Sequence, residues 1–225
     1  MTAVSQMINW LNDPLNWTNP DGVWVRLREH LELTAASVLL AGLVAWPVGI
    51  GMARRGRGTG LVVVLSNVTQ AIPVIAMLTI LPLTRIGFGA RAVLIALAVF
   101  AIPPLLANAY LGIREVDPEV REAARGMGLS SRQLLWRVEL PLAVPYLAAG
   151  LRTASVQVVA TAGLAALVNG GGLGTIVLAG FGLGLATGGG QVLAGGLLTA
   201  GLALLMEAVL AAVQRTVTPA ALRRV

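Results

Sequence analysis

The chain has 225 residues, of which 56% are hydrophobic and 12% are charged, and its formal net charge is +6. Charged residues make up about a quarter of an ordinary soluble domain, so this composition indicates an integral membrane protein with several spans. The chain has no cysteine and one histidine, which excludes disulfides, thiol chemistry and metal sites built from several histidines.

Residues 1–30 form a polar segment that contains Trp10, Trp17 and Trp24. Indole side chains favour the boundary between lipid and water. The sequence therefore predicts an extracytoplasmic, interfacial segment here, and a mobile tail is the alternative.

Five apolar runs follow, each near the roughly 20 residues that cross a hydrocarbon core. They cover residues 33–52, 60–82, 92–112, 142–168 and 192–213. A glycine-rich stretch, 169–190, connects the last two runs. We therefore expect an all-α integral membrane protein with about five transmembrane helices. One membrane domain would span residues 31–215, and residues 216–225 would be a cytoplasmic tail.

The arginines are distributed unevenly around these runs. All sixteen basic residues are arginine, and Arg152 alone falls inside a run. Five spans place the termini on opposite sides of the membrane. With the charged segment at 115–141 in the cytoplasm, eleven arginines lie inside and four outside. Basic residues accumulate on the cytoplasmic side, so we expect the N-terminus outside and the C-terminus in the cytoplasm.

We call residues 115–141 the coupling segment, and its sequence predicts two short helices. Asp117 and Pro118 are typical of a helix start, because Asp caps free amides and Pro suits the first helical position. Gly126 and Gly128 favour a turn that ends this helix.

The second short helix has its own start signal. Ser130 and Gln133 fit a capping box, and we expect this helix to stop at Leu140-Pro141, where the fourth span begins. A charged helix–turn–helix between two spans is suited to docking a soluble partner. An ordinary solvated loop is the alternative.

The coupling segment also contains a spaced pattern that resembles the EAA loop of ABC-importer permeases. That pattern is Glu-Ala-Ala, three residues, Gly, nine residues, Ile, one residue and Leu-Pro, with Val here in place of Ile. The matching residues are Glu122, Ala123, Ala124, Gly128, Val138, Leu140 and Pro141.

Further motifs are similar to permease subunits of importers for osmoprotectants such as glycine betaine, carnitine or choline. They are SNVTQAIPVIAML (66–78), NAYLGI (108–113), VDP (116–118), LPLAVPYLAAGLRTA (140–154) and AALVNGGGLG (165–174). The resemblance implies the type I ABC importer permease fold in a bacterial cell membrane. It also implies a chain that is not itself an enzyme and that binds no cofactor.

The resemblance implies several partners. A cytoplasmic ATPase dimer would hold ATP and Mg²⁺ and dock on the EAA loop, and an extracytoplasmic binding protein would deliver the solute. A second permease subunit, either a second copy or a paralogue, would complete the path through the lipid bilayer. Nucleic acid is not expected as a partner.

Two charged residues, Arg152 and Glu207, fall inside the fourth and fifth runs. Arg152 lies ten residues after Leu142 and Glu207 eight before Arg215, which is about 15 Å and about 12 Å of helix rise from the same membrane face. Charges inside a membrane pair or line a water-filled cavity. We expect these two to pair, and contact with the solute is the alternative.

Four residues are candidates for lining or gating the solute pathway: Pro73, Asn108, Gly172 and Gly174. A proline frees a carbonyl and kinks a membrane helix, so Pro73 would either gate the pathway or only shape the bundle. The two glycines would allow irregular backbone at the pore mouth, or a plain flexible connection.

Other functions stay open at this stage. The same kind of importer with another amine or an amino acid as cargo is one. A secondary transporter or channel that works alone is another, although five spans without an inverted repeat argue against it. A membrane enzyme is a third, but no catalytic set or metal site is visible in the sequence.

Overall fold

The computed structural model of the protein describes residues 2–56, 60, 64 and 72–218, and these residues are helical throughout except for turns. The helices are α1 (Ala3–Asn12), α2 (Leu15–Thr18), α3 (Val23–Arg54), α4 (Val74–Ile80), α5 (Ala90–Arg114), α6 (Pro118–Gly126), α7 (Ser131–Leu134), α8 (Leu140–Ala162), α9 (Gly174–Gly182) and α10 (Leu185–Val217). Turns of 3-10 helix at Leu81–Leu83 and Gly163–Val168 and a π-helical turn at Leu135–Glu139 continue three of them.

Four helical stretches of the described chain are long and apolar enough to cross a membrane. They are Leu15–Arg54, Ala90–Arg114, Ser131–Val168 and Leu185–Val217. They contain the first, third, fourth and fifth predicted spans, which confirms an all-α membrane fold. Of the predicted second span, the described part includes a short apolar helix at Val74–Leu83. Residues 61–63 and 65–71 of that span, and 219–225 of the predicted tail, lie outside the described residues.

The first long helix differs from the sequence expectation at its start. Helix α3 begins at Val23 and has 32 residues, about 48 Å of helix, whereas the apolar run begins at residue 33. Charged residues conceal its first turns in the sequence, yet they pair along the helix. Arg28 Nε lies 2.7 Å from Glu32 Oε1, one turn further on.

The N-terminal segment is packed against the rest of the chain, in contrast to a mobile tail. Gln6 Nε2 donates to the carbonyl of Ala186 at 2.9 Å, and Gln6 Oε1 accepts from the amide of Gly190 at 3.2 Å. The rings of Trp17 and Trp24 lie 5.4 Å apart between centroids. Helix α1 is therefore held on the start of α10.

Helix α5 lies at the centre of the bundle, between α3 and α8. Glycines allow the close approach on both sides. A Cβ atom at Gly49 of α3 would lie 2.8 Å from the Leu106 carbonyl oxygen, and one at Gly150 of α8 would lie 3.0 Å from that of Pro104. Small residues at such contacts are typical of membrane bundles, where close packing drives helix association.

Helix α9 approaches the 3-10 turn after α8 even more closely. A Cβ atom at Gly174 would overlap the carbonyl oxygen of Gly163 and lie 2.9 Å from its Cα. The glycine-rich stretch predicted as a connection thus contains a packed helix, and Gly174 is a site of backbone contact.

We expect Gly174→Ala to destabilise the purified protein in detergent, because the added Cβ overpacks the contact. Overpacking costs roughly 1–3 kcal/mol, and we expect a loss of at least that size. Gly182→Ala is the matched control on the same helix, since a Cβ there meets nothing within 4 Å. Thermal denaturation measured by loss of the monodisperse peak in size-exclusion chromatography separates the two. Equal melting temperatures for the two variants would contradict a tight contact, since α9 and the 3-10 turn would then move apart at little cost.

A polar cluster connects α8 and α10 across the bundle. Arg152 Nε lies 3.2 Å from Glu207 Oε1, with side chains 37% and 41% exposed. Arg152 Nη1 also donates to Gln214 Oε1 at 2.9 Å, and Gln214 Nε2 donates to the Pro145 carbonyl at 3.3 Å. The cluster joins two antiparallel helices. Its contacts fix how far one helix is shifted along the other.

Charge reversal tests whether this pairing fixes the register. We expect Arg152→Glu and Glu207→Arg each to lower the yield of folded protein in membranes several-fold, because each places like charges in contact. The double variant restores the pair and should recover most of the yield. Arg215→Glu reverses an exposed charge on the same helix as Glu207 and serves as control. A double variant no better than the singles would contradict the pairing.

Candidate coupling site

Helix α6 of the coupling segment starts as its sequence predicts. The side chain of Asp117 accepts a hydrogen bond from the Glu119 amide at 2.8 Å, and Pro118 occupies the first helical position. The carboxylate thereby satisfies a free amide of the first turn. This predicted helix start is confirmed.

A Schellman motif ends α6 at Gly128. The Gly128 amide donates to the Arg125 carbonyl at 2.9 Å, and the Leu129 amide donates to the Ala124 carbonyl at 3.2 Å. Gly128 has a φ of 83°, a left-handed conformation that glycine adopts without a Cβ penalty. A Cβ atom at Gly128 would meet nothing within 4 Å. The turn therefore requires glycine for its backbone conformation and not for lack of space.

The second short helix, α7, begins with the predicted capping box. The Ser130 amide donates to Gln133 Oε1 at 2.8 Å, and the Gln133 amide donates to Ser130 Oγ at 3.3 Å. Both bonds of the reciprocal motif are present, so this prediction is confirmed.

The prediction that this helix stops at Leu140-Pro141 is wrong. Helix α7 passes through the π-helical turn Leu135–Glu139 directly into α8, and the Leu140 amide donates to the carbonyl of Leu135, five residues back. Proline lacks an amide hydrogen and its ring crowds the carbonyl four residues before it. The wider turn accommodates Pro141, so the coupling segment is continuous with a spanning helix.

The residues of the EAA pattern divide between the surface and the interior. Glu122 and Ala123 are exposed, whereas Ala124 is 2% exposed and packs inside the chain. Gly128 and Pro141 are also at the surface, and Val138 and Leu140 are half-buried. Trp136, next to the pattern, is exposed as well. Only part of the pattern is therefore available to a partner.

Sequence reasoning missed a buried acid at the unspecified position of the pattern, between Val138 and Leu140. Glu139 is 3% exposed. Its Oε2 lies 3.0 Å from Arg54 Nε and its Oε1 lies 3.2 Å from Arg121 Nε. Glu139 Oε2 and Arg121 Nε make no aligned hydrogen bond, so these contacts are ion pairs. A charged residue among apolar neighbours was the only sequence signal for this site.

A second polar site, also missed, holds the glycine loop against the start of α3. The Gly172 amide donates to Glu29 Oε2 at 2.9 Å, and the Leu173 amide lies 3.3 Å from His30 Nδ1. His30 Nε2 lies 2.9 Å from the Val159 carbonyl, which can only accept. His30 therefore carries its proton on Nε2 and accepts at Nδ1. The loop amides bind side chains of this chain.

The other pathway candidates are found in separate surroundings. Asn108 Nδ2 donates to the Pro104 carbonyl on its own helix at 2.8 Å, and its Cβ faces Gly150. Pro73 is exposed and immediately precedes α4. Gly172 has a φ of 81° and belongs to the loop described above. These are the contacts of Asn108 and Gly172 within the chain, and a part in the solute pathway stays a prediction for both. Within the described residues there is no group of three or more His, Cys, Asp or Glu side chains that could hold a metal ion.

The fold and the coupling segment match known proteins. Residues 40–219 match the family model described as "Binding-protein-dependent transport system inner membrane component". The carnitine transport permease protein OpuCD of Listeria monocytogenes is 34% identical over 97% of this chain and 95% of its own. The choline transport system permease protein OpuBB of Bacillus subtilis is 33% identical over 92% and 94%.

A solved structure agrees with this assignment. One chain of the MetNI methionine ABC transporter, solved in an inward-facing conformation, superposes on this chain with a TM-score of 0.72 and is 27% identical to it. The match covers 92% of this chain and 100% of that chain. Three findings lead to one assignment. The family model matches most of the chain, the relatives match over nearly their full length, and the fold is shared. The chain belongs to the family of inner membrane components of binding-protein-dependent transport systems, the permease subunits of ABC transporters.

Proposed function

We propose that this protein is the permease subunit of an ATP-driven importer that takes up a quaternary-amine osmoprotectant such as glycine betaine, carnitine or choline. The observation that carries the transport mechanism is the capped helix–turn–helix of the coupling segment, which presents Glu122 and Ala123 at the surface and continues into α8. The cargo class rests on relatives of about one-third identity that are named for carnitine and choline transport.

A separate ATPase dimer binds ATP and Mg²⁺ and docks on the exposed part of the coupling segment. The small side chain of Ala123 permits a close approach, and the rigid caps at Asp117 and Ser130 hold both short helices in place. Glu122 supplies a charge at the edge of the contact. The arginine distribution supports a cytoplasmic position for this surface, with the N-terminus outside and the C-terminus inside.

Two permease subunits are needed to enclose a path, so a second copy or a paralogue packs beside this chain. An extracytoplasmic binding protein delivers the solute to the face that carries the glycine loop. A second candidate cargo is an amino acid, because the structural neighbour belongs to a methionine transporter.

Reconstitution in liposomes with the partner ATPase and binding protein tests the proposed function. We expect glycine betaine, carnitine or choline to stimulate ATP hydrolysis several-fold through the binding protein and to accumulate in an ATP-dependent manner. Stimulation by methionine alone would favour the amino-acid cargo. Gradient-driven uptake by this chain without an ATPase would overturn the importer assignment.

Gly128→Val tests the coupling turn. Left-handed backbone costs a residue with a Cβ about 1–2 kcal/mol, and β-branching adds to the strain, so we expect the turn to rearrange and uptake to fall about tenfold or more while membrane insertion persists. Gly126→Ala is the control, because Gly126 is helical and a Cβ there meets nothing within 4 Å. Uptake and ATPase activity are measured together. Normal uptake by Gly128→Val would argue against a rigid docking turn.

A further inference from the structure

We propose that Glu139 is a positioning residue that fastens the coupling segment to the end of α3, so that two spanning helices move with the docked ATPase. The inference rests on the proposed function and deepens it. It concerns how motion passes from the docked ATPase to the spanning helices. The EAA pattern does not assign this role, because it leaves the position of Glu139 unspecified.

The contacts of Glu139 join three separate elements. Arg54 is the last residue of α3, and Arg121 lies in the middle of α6. Glu139 ends the π-helical turn and has one carboxylate oxygen within 3.2 Å of each arginine. One buried acid therefore connects α3, α6 and the start of α8.

Each arginine also binds backbone on a further element. Arg54 Nη2 donates to the Ser131 carbonyl at 2.7 Å, at the start of α7. Arg121 Nη2 donates to the carbonyl of Ile113, near the end of α5. The cluster thus gathers both short helices and the ends of α3 and α5 around Glu139.

The burial of Glu139 makes this connection stiff. A carboxylate that is 3% exposed has little water to replace an arginine, so separating the elements would leave an uncompensated charge. An exposed ion pair would instead exchange with water at little cost. The energetics favour movement of the elements as one body.

The short helices are joined to the long helices by backbone and by polar contacts. Helix α8 is reached through the continuous backbone at Leu140, α5 through the Arg121–Ile113 contact, and α3 through the polar contacts of Arg54 with Glu139 and Ser131. Removing the Arg54 side chain should leave the docking surface intact and loosen the hold on α3.

The test compares Arg54→Met with Arg55→Met in the reconstituted importer. Arg54→Met removes the polar contacts that join α3 to Glu139 and Ser131 and leaves Glu139 paired with Arg121. Arg55 is the adjacent arginine and, like Arg54, an exposed residue, so the control is matched in position and charge. We expect Arg54→Met to assemble with the ATPase and to hydrolyse ATP, while solute imported per ATP falls at least about fivefold. Arg55→Met should keep the wild-type ratio. Glu139→Gln, which retains the shape, should lower the ratio at least as much.

A distance measurement tests the same inference without transport. The chain has no cysteine, so spin labels at Arg55→Cys and Glu119→Cys in one permease subunit, beside an unlabelled second subunit, report the distance between the end of α3 and α6. In the complex with otherwise wild-type sequence we expect one narrow distance that is conserved between nucleotide-free and ATP-bound states. Adding Arg54→Met should broaden it or make it change with nucleotide.

The outcomes are distinguishable. Absence of ATP-coupled uptake by the wild-type complex would refute the proposed function. Coupled wild-type uptake with an unchanged ratio and distance in Arg54→Met would refute only the role of this cluster. Failure of both Arg54→Met and Glu139→Gln to assemble would also refute it, since the cluster would then be an anchor for folding alone.

Discussion

The structure depends on the close approach of helix backbones at a few glycines around α5. Lipid is as apolar as a leucine side chain, so burial of apolar surface gives little reason for these helices to associate, and close packing supplies it. Gly49 brings α3 against the backbone of α5 at Leu106, and Gly112 brings α5 within reach of Tyr146 on α8, where an added Cβ would lie 2.8 Å from the tyrosine Cβ. Both contacts are near the helix ends that carry Arg54 and Glu139. The close approach at these glycines brings the helix ends near enough for the buried Glu139 to pair with Arg54 and Arg121, whose side chains are partly exposed.

Helix α3 is consequently fastened at both ends by polar groups and along its length by packing. At its start, Glu29 and His30 hold the amides of Gly172 and Leu173, and at its last residue Arg54 meets Glu139. A helix of 32 residues is about 48 Å long, so it connects the coupling segment with the glycine loop. The two sites differ in chemistry. The loop is held by backbone amides that need glycine's conformational freedom, while the coupling end is held by side-chain charge.

The sequence was a good guide where a signal and its partner lie within a few residues. Asp117 with Pro118 and Ser130 with Gln133 each predicted a helix start that the structure contains. It was a poor guide where the partner is far along the chain, as for His30 with Val159 or Arg54 with Glu139. Such contacts follow from helix packing, which no local pattern specifies. The start of α3 was missed because charged residues hide an amphipathic extension, and the break predicted at Pro141 was wrong because a π-helical turn accommodates it.

The same π-helical turn lies where the EAA-like pattern of this chain ends in Leu140-Pro141. A residue added to a turn shifts the side chains that follow by about 100° relative to a regular α-helix. Here the shift accompanies the burial of Glu139, while Trp136 in the same turn stays exposed. Pro141 favours the wider turn because it cannot donate the ordinary helical hydrogen bond. The first half of the pattern is thus suited to contact with a partner. The second half contains the π-helical turn through which the segment continues into α8, so a proline is found within a continuous helix.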